Sequence, residues 1–147
     1  MDSTITPANR LAALWNSVWN IGRVEAVDLY VTPHYVRHGK AGDQDKSAVK
    51  EAALALRTAF PDLMLRMQDV IEDDDRIAVR WHGTGTHRAP YRGVPATGRT
   101  VTVSGTTFVR FERTAIAEEW VVWDDDDITR RLGVIPLGRT ATPKEIR

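Results

Sequence analysis

The sequence predicts an α+β fold: a curved antiparallel or mixed sheet forming a cone-shaped barrel closed by three N-terminal helices. Three observations carry that expectation. Up to Phe60 the apolar residues recur at helical spacing, and after Pro61 they alternate with a period of two. Within one long alternating stretch, Gly83 and Gly85 sit where a side chain would resist bending, so that strand is expected to curve strongly.

The first helix begins at Thr6, an N-cap followed by Pro7, whose missing amide hydrogen leaves nothing unsatisfied at the first helical position. Leu11, Leu14, Trp15 and Val18 form its apolar stripe, and Gly22 ends it. A short helix over Val24 to Tyr30 follows, then Thr32-Pro33 and an extended piece from Tyr35 to His38. The third helix runs from about Ser47 to Phe60, with Val49, Ala52, Ala53, Leu56, Ala59 and Phe60 on its apolar face and Pro61 as the stop.

The strands come next. Leu63, Leu65 and Met67 alternate with polar neighbours, and Asp73-Asp74-Asp75 supplies a hairpin turn. Ile77, Val79, Trp81, Gly83, Gly85 and His87 share one strand face. Thr97-Gly98-Arg99 reads as a turn before Val101, Val103, Gly105, Thr107 and Val109. Uninterrupted alternation then puts Ile116, Glu118, Trp120, Val122 and Asp124 on one face of the last strand. Gly133 closes a final short helix. One domain over residues 1–147 is expected, ordered over about 6–136, with a tail at 137–147 too poor in apolar residues to fold by itself.

Composition excludes several classes of function. Twenty basic residues balance twenty acidic ones, and no Lys/Arg-rich block offers a local field, so nucleic acid is not an expected partner. The absence of cysteine excludes disulfides, thiolate metal sites and a thiol nucleophile, and suits a reducing, cytoplasmic compartment. No apolar run approaches the roughly 18 residues of a membrane span, so no membrane partner is expected. None of the four histidine positions, His34, His38, His82 and His87, pairs with another at ligand spacing on one face, so no metal is expected. Neither a serine-hydrolase elbow nor a complete nucleotide-binding glycine motif is present.

Asp124 is the candidate for chemistry. It ends an apolar strand face, where desolvation raises a carboxyl pKa and makes a better base for enolisation beside a carbonyl. The plainer reading makes Asp124 to Asp127 the N-terminal signal of the last helix, with Arg130 and Arg131 at its other end. Strand parity separates Asp124 from Asp125, Asp126 and Asp127, which are assigned to the helix start. His87 and His38 are placed to assist proton transfer. Trp15, Trp19, Tyr35, Trp81, Tyr91, Thr107 and Trp120 are the candidates to line a pocket for a small hydrophobic ligand, beside their ordinary use as core.

These residues resemble the SnoaL-like polyketide cyclase family, within the superfamily that shares the nuclear-transport-factor and ketosteroid-isomerase cone fold. The resemblance rests on Trp81-x-Gly-x-Gly-x-His87, on Tyr91-Arg92-Gly93-Val94-Pro95-Ala96-Thr97-Gly98-Arg99, on Glu119-Trp120-Val121-Val122-Trp123-Asp124 and on Arg131-Leu132-Gly133. Thr32 to His38 and Ala59 to Leu63 extend it over nearly the whole chain. It implies an intramolecular aldol condensation on an enolisable hydrophobic substrate, with Asp124 as acid/base and no metal or cofactor. Two departures stand out: Thr107 where ring-closing members carry a histidine, and no glycine in the hairpin at Arg113-Thr114. The alternatives are a non-catalytic module binding a small hydrophobic ligand, and an isomerase, dehydratase or epoxide hydrolase of the same fold. A homodimer is expected, because an open curved sheet exposes its outer face.

Overall fold

The computed structural model describes residues 6–124 and 126–133. Asp125, the end of the expected core and the tail expected from residue 137 lie outside the described residues.

Helix α1, Pro7–Trp15, continues directly into a π-helical turn, Asn16–Ile21. Thr6 Oγ1 accepts the Asn9 backbone N–H at 3.1 Å, and Pro7 occupies the first position, as the capping signal requires. The π turn aims Asn20 at the sheet, where its side-chain amide donates to Leu65 O at 3.1 Å and accepts from Leu65 N at 2.7 Å. Gly22 then turns the chain at φ 91°, a left-handed conformation that a side chain would strain.

A single 3₁₀ turn leads into helix α2, Val27–Tyr30, followed by strands β1, Val31–Gly39, and β2, Gly42–Gln44. Helix α3 spans Lys46–Ala59; Asp45 caps it by accepting from Ala48 N at 2.9 Å. Four strands then form a meander, β3 Met64–Asp73, β4 Arg76–Thr86, β5 Thr100–Glu112 and β6 Ala115–Val122, before helix α4, Asp126–Arg131.

The sheet runs in the order β2-β1-β6-β5-β4-β3. β1 lies parallel to β6 and every other pair is antiparallel, so the sheet is mixed. It curves without closing into a barrel, with β2 and β3 as its edges; β3 carries Arg66, Asp69, Glu72 and Asp73, charges that suit an unpaired edge. Leu11, Leu14, Trp15 and Val18 of the first helix and Val49 and Ala53 of α3 pack on Ile77, Val79, Trp81, Val109 and Phe111 in the main core. Burial along β4 follows the predicted parity.

β6 departs from simple alternation. Thr107 pairs with Val121 and Val109 with Glu119, yet Phe111 pairs with Ile116, so Ala117 is an extra residue in β6. Ile116 and Ala117 are both buried, and beyond them the faces exchange. Glu119, Val121 and Trp123 face the helices, while Glu118, Trp120 and Val122 face outward. The shared inner face expected for Ile116, Glu118, Trp120, Val122 and Asp124 therefore ends at its first member.

Candidate functional site

Between the helices and the inner face of the sheet lies a cavity walled mainly by apolar and aromatic side chains, the character of a small-molecule site. Trp15 and Trp19 line it from the first helix, Leu56 and Phe60 from α3, Trp81, Val101, Val103, Thr107 and Val121 from the strands, and Trp123 from the end of β6. Trp81 sits edge-on to Trp15, with ring centroids 6.3 Å apart at 88°, and tilts against Trp123 at 6.0 Å. Two indoles reach this place because residue 105 has no side chain: a Cβ there would stand 2.5 Å from Trp81 Cζ2 and 2.8 Å from Trp123 Cβ. Trp81 Nε1 donates to Thr107 Oγ1 at 3.0 Å, which satisfies both groups within the apolar wall.

Among the described residues lining this cavity, Arg37 and Glu119 are the only charged ones. Glu119 is 4% exposed. Its Oε2 accepts from the Tyr35 hydroxyl at 2.6 Å, and the parallel register of β1 with β6 sets Arg37 directly beside it. Burial pushes the Glu119 carboxyl above its ordinary range, against the opposing pull of the Arg37 charge and the Tyr35 hydrogen bond. Burial, then the neighbouring Glu119 charge, pushes the Tyr35 phenol well up, so it remains a donor. Arg37 is held by donation from Nη1 to Gln44 Oε1 at 2.7 Å, with its guanidinium carbon 5.7 Å from the Trp19 ring centroid.

The structure places four of the expected lining residues, Trp15, Trp19, Trp81 and Thr107, on the cavity wall. Tyr35 acts one step back, through Glu119. Tyr91 lines an adjoining basin, on the tight turn Tyr91–Val94 whose central residues, Arg92 and Gly93, both take left-handed φ. Trp120 is displaced by the bulge to the outer face, stacked on His38 at 5.4 Å.

The three residues expected to move protons stand away from the cavity wall. Asp124 has a side chain 46% exposed, accepts from Arg130 Nη2 at 2.8 Å and from Asp126 N at 3.1 Å, and has Lys40 Nζ at 3.5 Å. Chiefly through the Arg130 hydrogen bond, its carboxyl is held below the ordinary range, the reverse of the expected shift. It serves the start of α4, as the helix-signal reading has it.

His38 lies on the outer face between two carboxylates, with Nδ1 2.7 Å from Asp43 Oδ1 and Nε2 2.6 Å from Glu118 Oε2. The Glu118 bond, then the Asp43 bond, raises its pKa and favours the doubly protonated ring. His87 is fully buried behind Phe60, its ring stacked on that phenyl at 5.3 Å. Its Nδ1 accepts the Thr97 backbone N–H at 3.1 Å, which puts the proton of the neutral ring on Nε2; that atom has no partner among the described residues. Within the described residues no three His, Asp or Glu side chains converge as a metal site.

Glu119, Arg37 and Trp123 were not foreseen as site residues. The available signal was the adjacent apolar pair Ile116-Ala117 followed by Glu118-Glu119, in which a parity change on the strand would turn one glutamate inward.

A family model described as SnoaL-like polyketide cyclase matches residues 9–132. No curated protein matches the sequence. Among solved structures, AclR of Streptomyces galilaeus, described as a candidate hydroxylase, superposes with a TM-score of 0.77 at 26% identity, over 89% of this chain and 100% of its own. A candidate polyketide cyclase of Acidithiobacillus ferrooxidans superposes with a TM-score of 0.77 at 29% identity, over 90% of this chain and 98% of its own. IdmH of Streptomyces antibioticus, likewise a candidate polyketide cyclase, gives 0.76 at 26%, over 88% and 99%.

Proposed function

Since the chain belongs to the SnoaL-like polyketide cyclase family, we propose that its cavity holds a small hydrophobic, enolisable substrate and that Glu119 is the acid/base acting on it. The observation that carries this reading is the buried Glu119 carboxylate on a wall of indole and alkyl groups, oriented by Tyr35 and beside the Arg37 cation. Desolvation makes the ionised carboxylate a stronger base than a solvated one.

In the proposed reaction, ionised Glu119 removes a proton from the carbon between two carbonyls, and the electron pair moves onto a carbonyl oxygen as an enolate. Arg37 offers that oxygen a positive charge. The enolate carbon attacks a further, more distant carbonyl of the same substrate molecule, forming the ring C–C bond, and the resulting alkoxide takes the proton back from Glu119. The cavity contributes by folding the substrate so that the reacting carbons meet. The lack of cysteine suits action in the cytoplasm.

The test is exchange of the α-proton of a naphthyl β-diketone with deuterated water, followed by NMR. The expected result is exchange well above the buffer rate in the presence of the native protein. Saturable binding with no exchange and no conversion across a panel of β-dicarbonyls would refute the catalytic reading in favour of a binding module.

A homodimer through the outer sheet face belongs to the same proposal. Cross-strand register aligns Ile71, Ala78, Phe108 and Trp120 in one row over four strands, with Phe108 55% exposed and Ile71 70% exposed. Such a row is more apolar than the alternation of Thr102, Ser104 and Thr106 beside it suggests. In sedimentation velocity the native protein is expected as a dimer and Phe108→Asp as a monomer; a monomeric native protein rules the interface out.

A further inference from the structure

Strand β2 is only three residues long and lies at the sheet edge, with β1 as its one strand neighbour. Its ladder with β1 pairs Arg37 with Gln44 and His38 with Asp43. Side chains add to this short ladder, because residues 43–45 each bind a different element. Asp43 Oδ1 lies 2.7 Å from His38 Nδ1 on the outer face. Gln44 Oε1 accepts from Arg37 Nη1 at 2.7 Å on the inner one. Asp45 caps α3 by accepting from Ala48 N. The acceptor that holds Arg37, in register with Glu119, is thus mounted on a strand whose outer fastening is His38.

That fastening depends on one proton. Both ring nitrogens of His38 face carboxylates, Nδ1 that of Asp43 and Nε2 that of Glu118 at 2.6 Å. A doubly protonated ring donates to both. A neutral ring carries one N–H, so one carboxylate must then face a lone pair. Glu118 is the better held of the two: its side chain is 26% exposed, and its Oε1 accepts from Arg110 Nε at 3.1 Å. The Asp43 side chain is 70% exposed, so water can take the place of the ring. A neutral His38 therefore keeps Glu118 and releases Asp43. The other charged groups around this pair are Arg110, which also donates to Glu112 at 3.1 Å, and His34, which lies 3.0 Å from Glu112. Arg76 completes the set, its guanidinium carbon 5.9 Å from the centroid of the Trp120 ring on which His38 stacks.

We propose that His38 is a positioning residue for the reaction at Glu119: as a cation it ties β2 to β6, and β2, through Gln44, holds the Arg37 guanidinium for the enolate oxygen. The catalytic half rests on the proposal that Glu119 acts on an enolisable substrate; the coupling of Arg37 to His38 does not. The Glu118 bond, then the Asp43 bond, raises the His38 pKa. The tie is therefore complete below the ordinary histidine value of 6.5 and is lost as pH rises through the raised one.

Two measurements test the two halves. In NMR of the native protein, the Arg37 side-chain Nε–H signal is expected to shift or broaden with the same midpoint as the His38 ring. In His38→Gln it should be indifferent to pH over that range. In α-proton exchange on the naphthyl β-diketone, corrected for the buffer rate, the native protein should lose about tenfold on the alkaline side, the scale of one lost hydrogen bond to a charged group. His38→Gln and Asp43→Asn should show that lower rate already at neutral pH, with no alkaline fall, while diketone binding and melting report an intact fold. Adding Gln44→Ala to His38→Gln should cost less than the product of the two single losses, because both act through one contact.

An Arg37 signal indifferent to the His38 titration would overturn the proposal. So would native exchange that stays level on the alkaline side, an alkaline fall that persists in His38→Gln, or single losses that multiply in the double variant. Arg37 coupled to His38 in a protein that exchanges no α-protons refutes the acid/base reading and leaves the coupling standing.

Discussion

Glu119→Gln is expected to lower α-proton exchange on a β-diketone by about 10²–10⁴-fold, the usual contribution of a positioned general base. The substitution keeps shape and leaves Oε1 able to accept from Tyr35, so a collapsed cavity is not the expected cause of the loss. Unchanged binding of the diketone, read by fluorescence, checks that point. Asp124→Asn is the contrast: its carboxylate is exposed and paired with Arg130, so it is expected to leave exchange within a few fold of native. A large loss in Asp124→Asn with Glu119→Gln near native would reverse the assignment.

The pH profile gives a readout that a structural role would not move. Only the ionised carboxylate accepts a proton, and burial raises the Glu119 pKa, so exchange by the native protein should climb with pH through a midpoint above the ordinary glutamate value of 4.5. The same shift carries a stability prediction. A carboxyl whose folded pKa is raised favours the fold below its unfolded value and loses that contribution as pH rises through the folded one. At neutral pH, Glu119→Gln should therefore melt higher than the native protein while turning over less, the trade expected of a group kept for chemistry.

Gly105→Ala is expected to be the most damaging small substitution in the described sheet, costing about 1–3 kcal/mol by overpacking, with each kcal/mol lowering Tm by about 2–4 °C. The added methyl would meet Trp81 Cζ2 at 2.5 Å, Trp123 Cβ at 2.8 Å and Val122 O at 2.8 Å. A backbone oxygen and a Cβ cannot move aside cheaply, so Trp81 must swing and the bond from its Nε1 to Thr107 must break. Red-shifted tryptophan emission and weakened diketone binding should accompany the lower Tm. Gly83→Ala is the control, since its methyl meets the flexible end of Leu65 at 3.3 Å. Equal stability of the two variants would show that residue 105 does not set the indole packing.

Much of the fold was legible in the sequence. The Thr6-Pro7 start, the stop at Pro61, the hairpin at Asp73-Asp74-Asp75 and the inner face of β4 from Ile77 to Gly85 all follow from caps, turns and periodicity, which are local. The same reasoning put Trp15, Trp81 and Thr107 on the cavity wall, because each lies in an element of unbroken period, and Trp19 joins them from the π turn one step further along the first helix.

The carboxylate was decided elsewhere. Alternation along β6 points to Asp124, but one inserted residue, Ala117, reverses every side chain beyond it, and whether a strand bulges depends on the register its partner β5 offers. The companions of Glu119 are a second product of assembly: Tyr35 lies 84 positions away in sequence and meets it only because β1 inserts parallel to β6. By itself the sequence determined an α+β chain with aromatic candidates for a pocket wall and an acidic residue near the end of its last strand. Which acid faces that pocket was settled only by the pairing of strands, since a period of two carries no memory across a bulge.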